Sequence, residues 1–136
     1  MAATKDQSVP VEVVVINHVS IQVADLAVSA AFYDAMLAPL GGKRVLDYGD
    51  QIGFGTEFPD FWVGPTTTAG AAREVHLAFT APDRAAVRAA FAAAVASGAE
   101  VLHEPREWPE YTPTYYAGFV RDPDGNNVEA VCHRPE

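Results

Sequence analysis

The chain has 136 residues, with 18 Asp and Glu against 9 Lys and Arg, a net charge of −9, and 49% hydrophobic residues. That length and balance suit one globular domain with a single sizeable core, and the acidic excess disfavours nucleic-acid backbones and anionic membrane surfaces as partners. No apolar run reaches the ~18–20 residues that span a bilayer, and the one cysteine, Cys132, leaves no intrachain disulfide, so a reducing, cytoplasmic setting is expected.

Residues 1–11 are short and mixed in character and are expected to form a flexible tail. Val11–Val23 is rich in β-branched residues. From His18 it alternates, with His18, Ser20 and Gln22 on one face and Val19, Ile21 and Val23 on the other, the pattern of a half-buried strand. Asp25 is a suitable N-cap for the next segment. There Leu26, Phe32 or Tyr33, Met36 or Leu37, and Leu40 recur at helical spacing until Pro39 and Gly41-Gly42 end the helix. Arg44–Tyr48, Gln51–Gly55 and Asp60–Gly64 read as short strands, the first two joined by a turn at Gly49-Asp50. Residues 65–72 have no apolar period and read as a join between two half-units.

The second half restarts at Glu74-Val-His-Leu-Ala-Phe, with His76 and Ala78 on one face and Val75, Leu77 and Phe79 on the other. A helix over Asp83–Ala96 is expected to bury Val87, Phe91 and Val95, with Gly98 just beyond its end. Strands are expected near Glu100–Glu104, Tyr115–Arg121 and Asn127–His133, the last two joined by the turn Asp122-Pro-Asp-Gly125. The Pro-punctuated stretch Glu104–Pro113 reads as a loop able to cover a cavity. Each half is thus β-α-β-β-β. The expected fold is α+β: paired βαβββ modules, 12–64 and 73–133, forming a curved mixed sheet around a cavity with helices outside, in one domain over 12–136.

The repeat carries chemistry. His18 and His76 are 58 positions apart, and so are Asp25 and Asp83. Glu129 lies on a strand among apolar neighbours, where an unpaired charge is costly. Two imidazoles and one carboxylate on strands suit a divalent cation such as Fe, Mn, Ni or Zn, and three protein ligands leave positions open for substrate. Tyr115, Tyr116 and Gln22 are candidate polar contacts, and Trp62, Trp108 and Phe119 candidate pocket walls. Cys132 has the opposite parity to Glu129 and is expected in the core.

Ile16-Asn-His-Val-Ser-Ile-Gln-Val with Ala31-Phe-Tyr, Val75-His-Leu-Ala-Phe, and Tyr115-Tyr-Ala-Gly-Phe-Val-Arg-Asp-Pro-Asp-Gly-Asn-Asn-Val-Glu129 resemble the vicinal oxygen chelate superfamily. That superfamily includes glyoxalase I, bleomycin-resistance proteins and extradiol dioxygenases. The resemblance covers about residues 14–133 and is nearest to lactoylglutathione lyase-like members. It implies paired βαβββ modules, a metal held by His18, His76 and Glu129, and often a homodimer; Glu129, Tyr115 and Tyr116 are the candidate catalytic residues. Glyoxalase I has a fourth ligand, which would fall near Phe61–Val63, where no ligand type stands. The dioxygenases carry a tyrosine where this chain has Phe119. The expected function is therefore that of a metal-dependent lyase or isomerase, ahead of ring cleavage, acting on a small vicinal-oxygen substrate. The alternative is a metal-free protein that sequesters an antibiotic-type molecule.

Overall fold

The computed structural model describes residues 15–136; the tail expected over 1–11, and Val11–Val14 of the first apolar stretch, lie outside the described residues. Strand β1 (Val19–Val23) leads into helix α1 (Leu26–Leu37), a 3₁₀ turn (Ala38–Leu40), and strands β2 (Lys43–Asp47), β3 (Ile52–Gly55) and β4 (Pro59–Pro65). The second module repeats the order with β5 (His76–Thr80), α2 (Arg84–Ala96), β6 (Glu100–Glu107), β7 (Tyr116–Arg121) and β8 (Asn127–Cys132). Each module forms one four-stranded mixed sheet, β1-β4-β3-β2 and β5-β8-β7-β6, in which the first and last strands of the module run parallel and the other pairs antiparallel.

The first helix begins after its expected cap, and the second begins at Arg84, one residue later than expected, with Asp83 as its cap. Asp25 Oδ1 accepts from Val28 N at 3.2 Å and Asp83 Oδ1 from Ala86 N at 2.7 Å, caps worth about 1 kcal/mol each. Gly98, at φ 94°, takes the left-handed conformation that ends α2. The apolar faces differ from the sequence reading in detail. Helix α1 buries both members of each ambiguous pair, Phe32 with Tyr33 and Met36 with Leu37. Helix α2 turns Val87, Ala90 and Ala94 inward and leaves Val95 exposed. The small alanines let α2 approach α1 and β7 closely.

Each sheet carries its helix on one face and leaves the other open. The helix-facing sides share one core that takes in Ile21, Val23, Phe54, Phe61 and Val63 of the first module and Val120, Val128, Ala130 and Cys132 of the second. Phe61 meets Phe79 edge-on across the module boundary at 5.1 Å. The turn between β7 and β8 fastens the modules together. Tyr33 Oη donates to Asp122 Oδ2 at 2.6 Å, and Ala24 N donates to Asp124 Oδ2 at 2.8 Å. Gly125, at φ 88°, closes that turn by donating to the Asp122 carbonyl at 2.9 Å.

The third correction concerns Glu104–Pro113. Strand β6 runs on through Pro105 to Glu107, with register shifts on both sides of His103; as an edge strand it tolerates the proline. The turn that follows is tied back by Trp108 N to Tyr115 O at 2.8 Å and Tyr111 N to Trp108 O at 3.0 Å. It forms a fixed wall instead of a loose cover.

Candidate functional site

The open face of the second sheet gathers most of the chemistry. Strand β5 places His76 and strand β8 places Glu129, and the parallel pairing sets Ala78 opposite Glu129. The carboxylate is 2% exposed. Its Oε1 lies 2.6 Å from His76 Nε2, and its Oε2 accepts from Tyr115 Oη at 2.6 Å. Both are distances of charge-assisted hydrogen bonds. Burial, and then the hydrogen bond to Glu129, push the Tyr115 phenol well above its ordinary value, so Tyr115 is a proton holder at neutral pH. His76 itself is half exposed, which leaves its ring accessible from the open side.

An aromatic wall borders these three groups. Phe119, the neighbour of Glu129 across the β7–β8 ladder, meets the Trp108 ring at 5.2 Å and the His76 ring at 6.0 Å. Trp108 is anchored by its own N–H, which donates to the Ala117 carbonyl at 2.9 Å, and Tyr111 stacks on it at 5.7 Å. The Arg106 guanidinium lies over the Trp108 ring, 3.4 Å from its centroid, a cation–π arrangement that stiffens the wall. His103 and His133 join the same surface through Trp108 and Tyr115 respectively. Asn127, in register with His76, has a buried Oδ1 without a hydrogen-bond partner among the described residues.

Other expected residues stand elsewhere. Tyr116 points to the helix side, beneath the Arg84 guanidinium at 4.8 Å, with Arg88 donating to its hydroxyl at 3.3 Å; neighbouring strand positions face opposite ways, so Tyr115 and Tyr116 do not share the site. Gln22 is occupied by the inter-module segment: it donates to Thr67 Oγ1 at 3.0 Å and accepts from Thr67 N and Thr68 N. His18 lies on the open face of the first sheet in a depression of about 430 Å³ with Ser20, Phe58, Pro59 and Trp62, and its Nδ1 is paired with Asn17 at 2.8 Å. Among the described residues of one chain, no three His, Cys, Asp or Glu side chains approach closely enough to hold one metal ion. His76 and Glu129 therefore come together, and His18 does not join them within one chain.

The register locates the counterpart of Glu129 in the first module. Ala78 faces Glu129 across β5 and β8, and the equivalent Ser20 faces Trp62 across β1 and β4. Next along, Phe119 corresponds to Gly53. A Cβ on Gly53 would sit 2.9 Å from Trp62 Cζ2; the missing side chain lets the indole lie across β3 and stack on Tyr48 at 6.0 Å. The first module thus carries an indole where the second carries a carboxylate.

The sequence matches the model of the Glyoxalase/Bleomycin resistance protein/Dioxygenase superfamily over residues 15–130. The chain belongs to that superfamily. Among solved structures of the superfamily, a glyoxalase/bleomycin resistance protein from Albidiferax ferrireducens T118 is 29% identical, with a TM-score of 0.75 over 85% of this chain and 97% of that one. Lactoylglutathione lyase from Agrobacterium tumefaciens is 25% identical, with a TM-score of 0.62 over 90% of this chain and 95% of that one. A glyoxalase/bleomycin resistance protein/dioxygenase family enzyme from Burkholderia phytofirmans PsJN, 19% identical with a TM-score of 0.65 over 88% and 98%, shares the fold. No curated protein matches the chain. The superfamily's paired βαβββ modules are those seen here, and it includes enzymes such as that lyase.

Proposed function

We propose that this superfamily member is a metal-dependent lyase or isomerase that handles a small substrate with neighbouring oxygens, and that it works as a homodimer. The single observation carrying this reading is the contact of His76 with Glu129 beneath an aromatic wall. A nearly inaccessible carboxylate is costly unless a cation or strong donors meet it, and here only an imidazole and a phenol do. Imidazole plus carboxylate is a donor set that suits Fe, Mn, Ni or Zn. It fits two of the three positions in one chain, and His18 on the open face of a second copy supplies the third. The open faces also carry exposed Tyr48, Phe58 and Tyr111, apolar surface that a second copy covers. A bound divalent ion supplies Lewis-acid polarisation of substrate oxygens. The chain's own residues do the rest: Glu129 accepts a proton, Tyr115 holds one at Oη, and Trp108 and Phe119 exclude water from the substrate's flat side. No helix of the described residues is long and apolar enough to cross a membrane.

Metal titration of the full-length protein tests this. One ion per chain is expected in the wild type, and loss of binding in His18→Ala and in Glu129→Ala. Mixed dimers of the two variants should regain one site per dimer, because one His18 then still meets one intact His76–Glu129 pair. Wild-type affinity in His18→Ala would overturn the three-residue site. A second reading, metal-free sequestration of an aromatic molecule, is favoured by the fact that both Glu129 oxygens already have partners. Its signature is ligand binding by metal-free protein that survives His18→Ala.

A further inference from the structure

The sequence gives His103 no partner at an equivalent position in the first module, and its place on the sheet becomes visible only in three dimensions. The register aligns His103 with Phe119, Phe119 with Glu129, and Glu129 with Ala78, so these four form one row across β6, β7, β8 and β5. The His103 ring stands edge-on to Phe119 at 5.6 Å and to Trp108 at 5.1 Å. Two aromatic neighbours thus hold the imidazole on the open face without engaging its nitrogens. Neither nitrogen makes a hydrogen bond to any described residue, while both Glu129 oxygens are taken by His76 and Tyr115.

Resting on the reading of this face as the ligand site, we propose that His103 is its second polar anchor. The ligand lies flat on Phe119, with one polar end at the Glu129–Tyr115–His76 cluster and the other at the His103 imidazole. The span follows from sheet geometry. Two strand steps of ~4.8 Å set the anchors about 10 Å apart, with side chains standing roughly perpendicular to the sheet. Subtracting two hydrogen bonds of ~2.8 Å leaves about 4–5 Å between the ligand's polar atoms. Opposite substituents on a six-membered ring stand about 1 Å farther apart than this, a difference that hydrogen bonds tilted up from the sheet take up. Two oxygens on adjacent ring carbons are too close together to reach both anchors. The site therefore selects flat molecules with a polar group opposite the end that meets Glu129, whether that end carries one oxygen or a neighbouring pair, and His103 distinguishes them from molecules polar at one end only.

The test measures binding of 1,4-dihydroxybenzene, 1,2-dihydroxybenzene and phenol to the full-length protein, without oxygen, by ligand-observed NMR. Wild type should prefer the 1,4-diol to phenol by about tenfold, the worth of one hydrogen bond, and should not so prefer the 1,2-diol. His103→Phe keeps the ring packing and removes the nitrogens. It should bring the 1,4-diol down to the level of phenol while phenol binding stays unchanged, and His103→Asn should restore part of the preference. An equal preference in His103→Phe and wild type, or no binding of the 1,4-diol at millimolar concentration, overturns the assignment. Glu129→Ala separates the two readings. If phenol binding responds to Glu129→Ala while His103→Phe changes nothing, the site stands and the anchor fails. If Glu129→Ala leaves all three ligands bound as before, the site itself fails.

Discussion

Replacing Tyr33 with Phe removes one oxygen from the boundary between the modules. The Tyr33 hydroxyl is buried and donates to Asp122 Oδ2 at 2.6 Å. Asp122, itself 5% exposed, keeps three other donors: Asp124 N, Asn126 N and Asn126 Nδ2. A hydrogen bond to a charged acceptor contributes about 1.5–3 kcal/mol, and the three remaining donors place this one at the lower end, about 1.5–2 kcal/mol. For a domain of this size that is a fall in Tm of roughly 5–7 °C, measurable by thermal denaturation followed by circular dichroism. The pH dependence adds a second check. Burial, and then the Asp122 charge beside it, hold the Tyr33 phenol far above its ordinary value of 10.0. A folded-state pKa raised in this way leaves stability intact below the unfolded value and removes it as pH climbs past about 10, where only the unfolded chain ionises. Tyr33→Phe lacks that alkaline loss, so the gap between variant and wild type should narrow above pH 10. A Tm unchanged to within a degree at neutral pH would refute the argument, by showing that the three remaining donors satisfy Asp122 fully.

Two further substitutions bracket the range of effects. Gly55→Ala would place a Cβ 1.8 Å from the Phe58 carbonyl oxygen, a backbone clash at the β3–β4 hairpin, and should cost at least ~3 kcal/mol or prevent folding; a soluble variant with wild-type urea midpoint would contradict it. Arg44→Ala removes a two-pronged pair with Asp34 at 2.9 and 2.7 Å, but the pair is exposed, so the loss should stay below ~1 kcal/mol and shrink further in 1 M salt.

The duplication was legible because its signals are local. Asp25 caps its helix as expected, Asp83 caps the second from one position before it, and the turns at Gly49 and Gly125 both have the positive φ that glycine permits. Period-2 alternation also placed His76 and Glu129 on one face and Cys132 in the core. What stayed hidden depends on register. The shifts around His103 break the alternation of β6, so no parity count from Glu100 could assign that residue to the open face. Tyr116 and Tyr115 are adjacent and equivalent in type, and only the strand's orientation separates an arginine-stacked residue from a partner of Glu129. The separation of His18 from His76 is a matter of how whole modules dock, and matched positions in a repeat carry no information about that.

The row that reads Ser20, Trp62 and Gly53 in one half and Ala78, Glu129 and Phe119 in the other makes the halves specialists on a common frame. Bulk and charge have traded places between them, a large ring over a bare glycine against an acid beside a large ring. A change at Trp62 or Gly53 reshapes the surface beside His18 while the contacts of Glu129 with His76 and Tyr115 on the other half stay as they are. Natural variation and deliberate redesign alike can therefore recast the surface of one half without disturbing the hydrogen-bonded acid of the other.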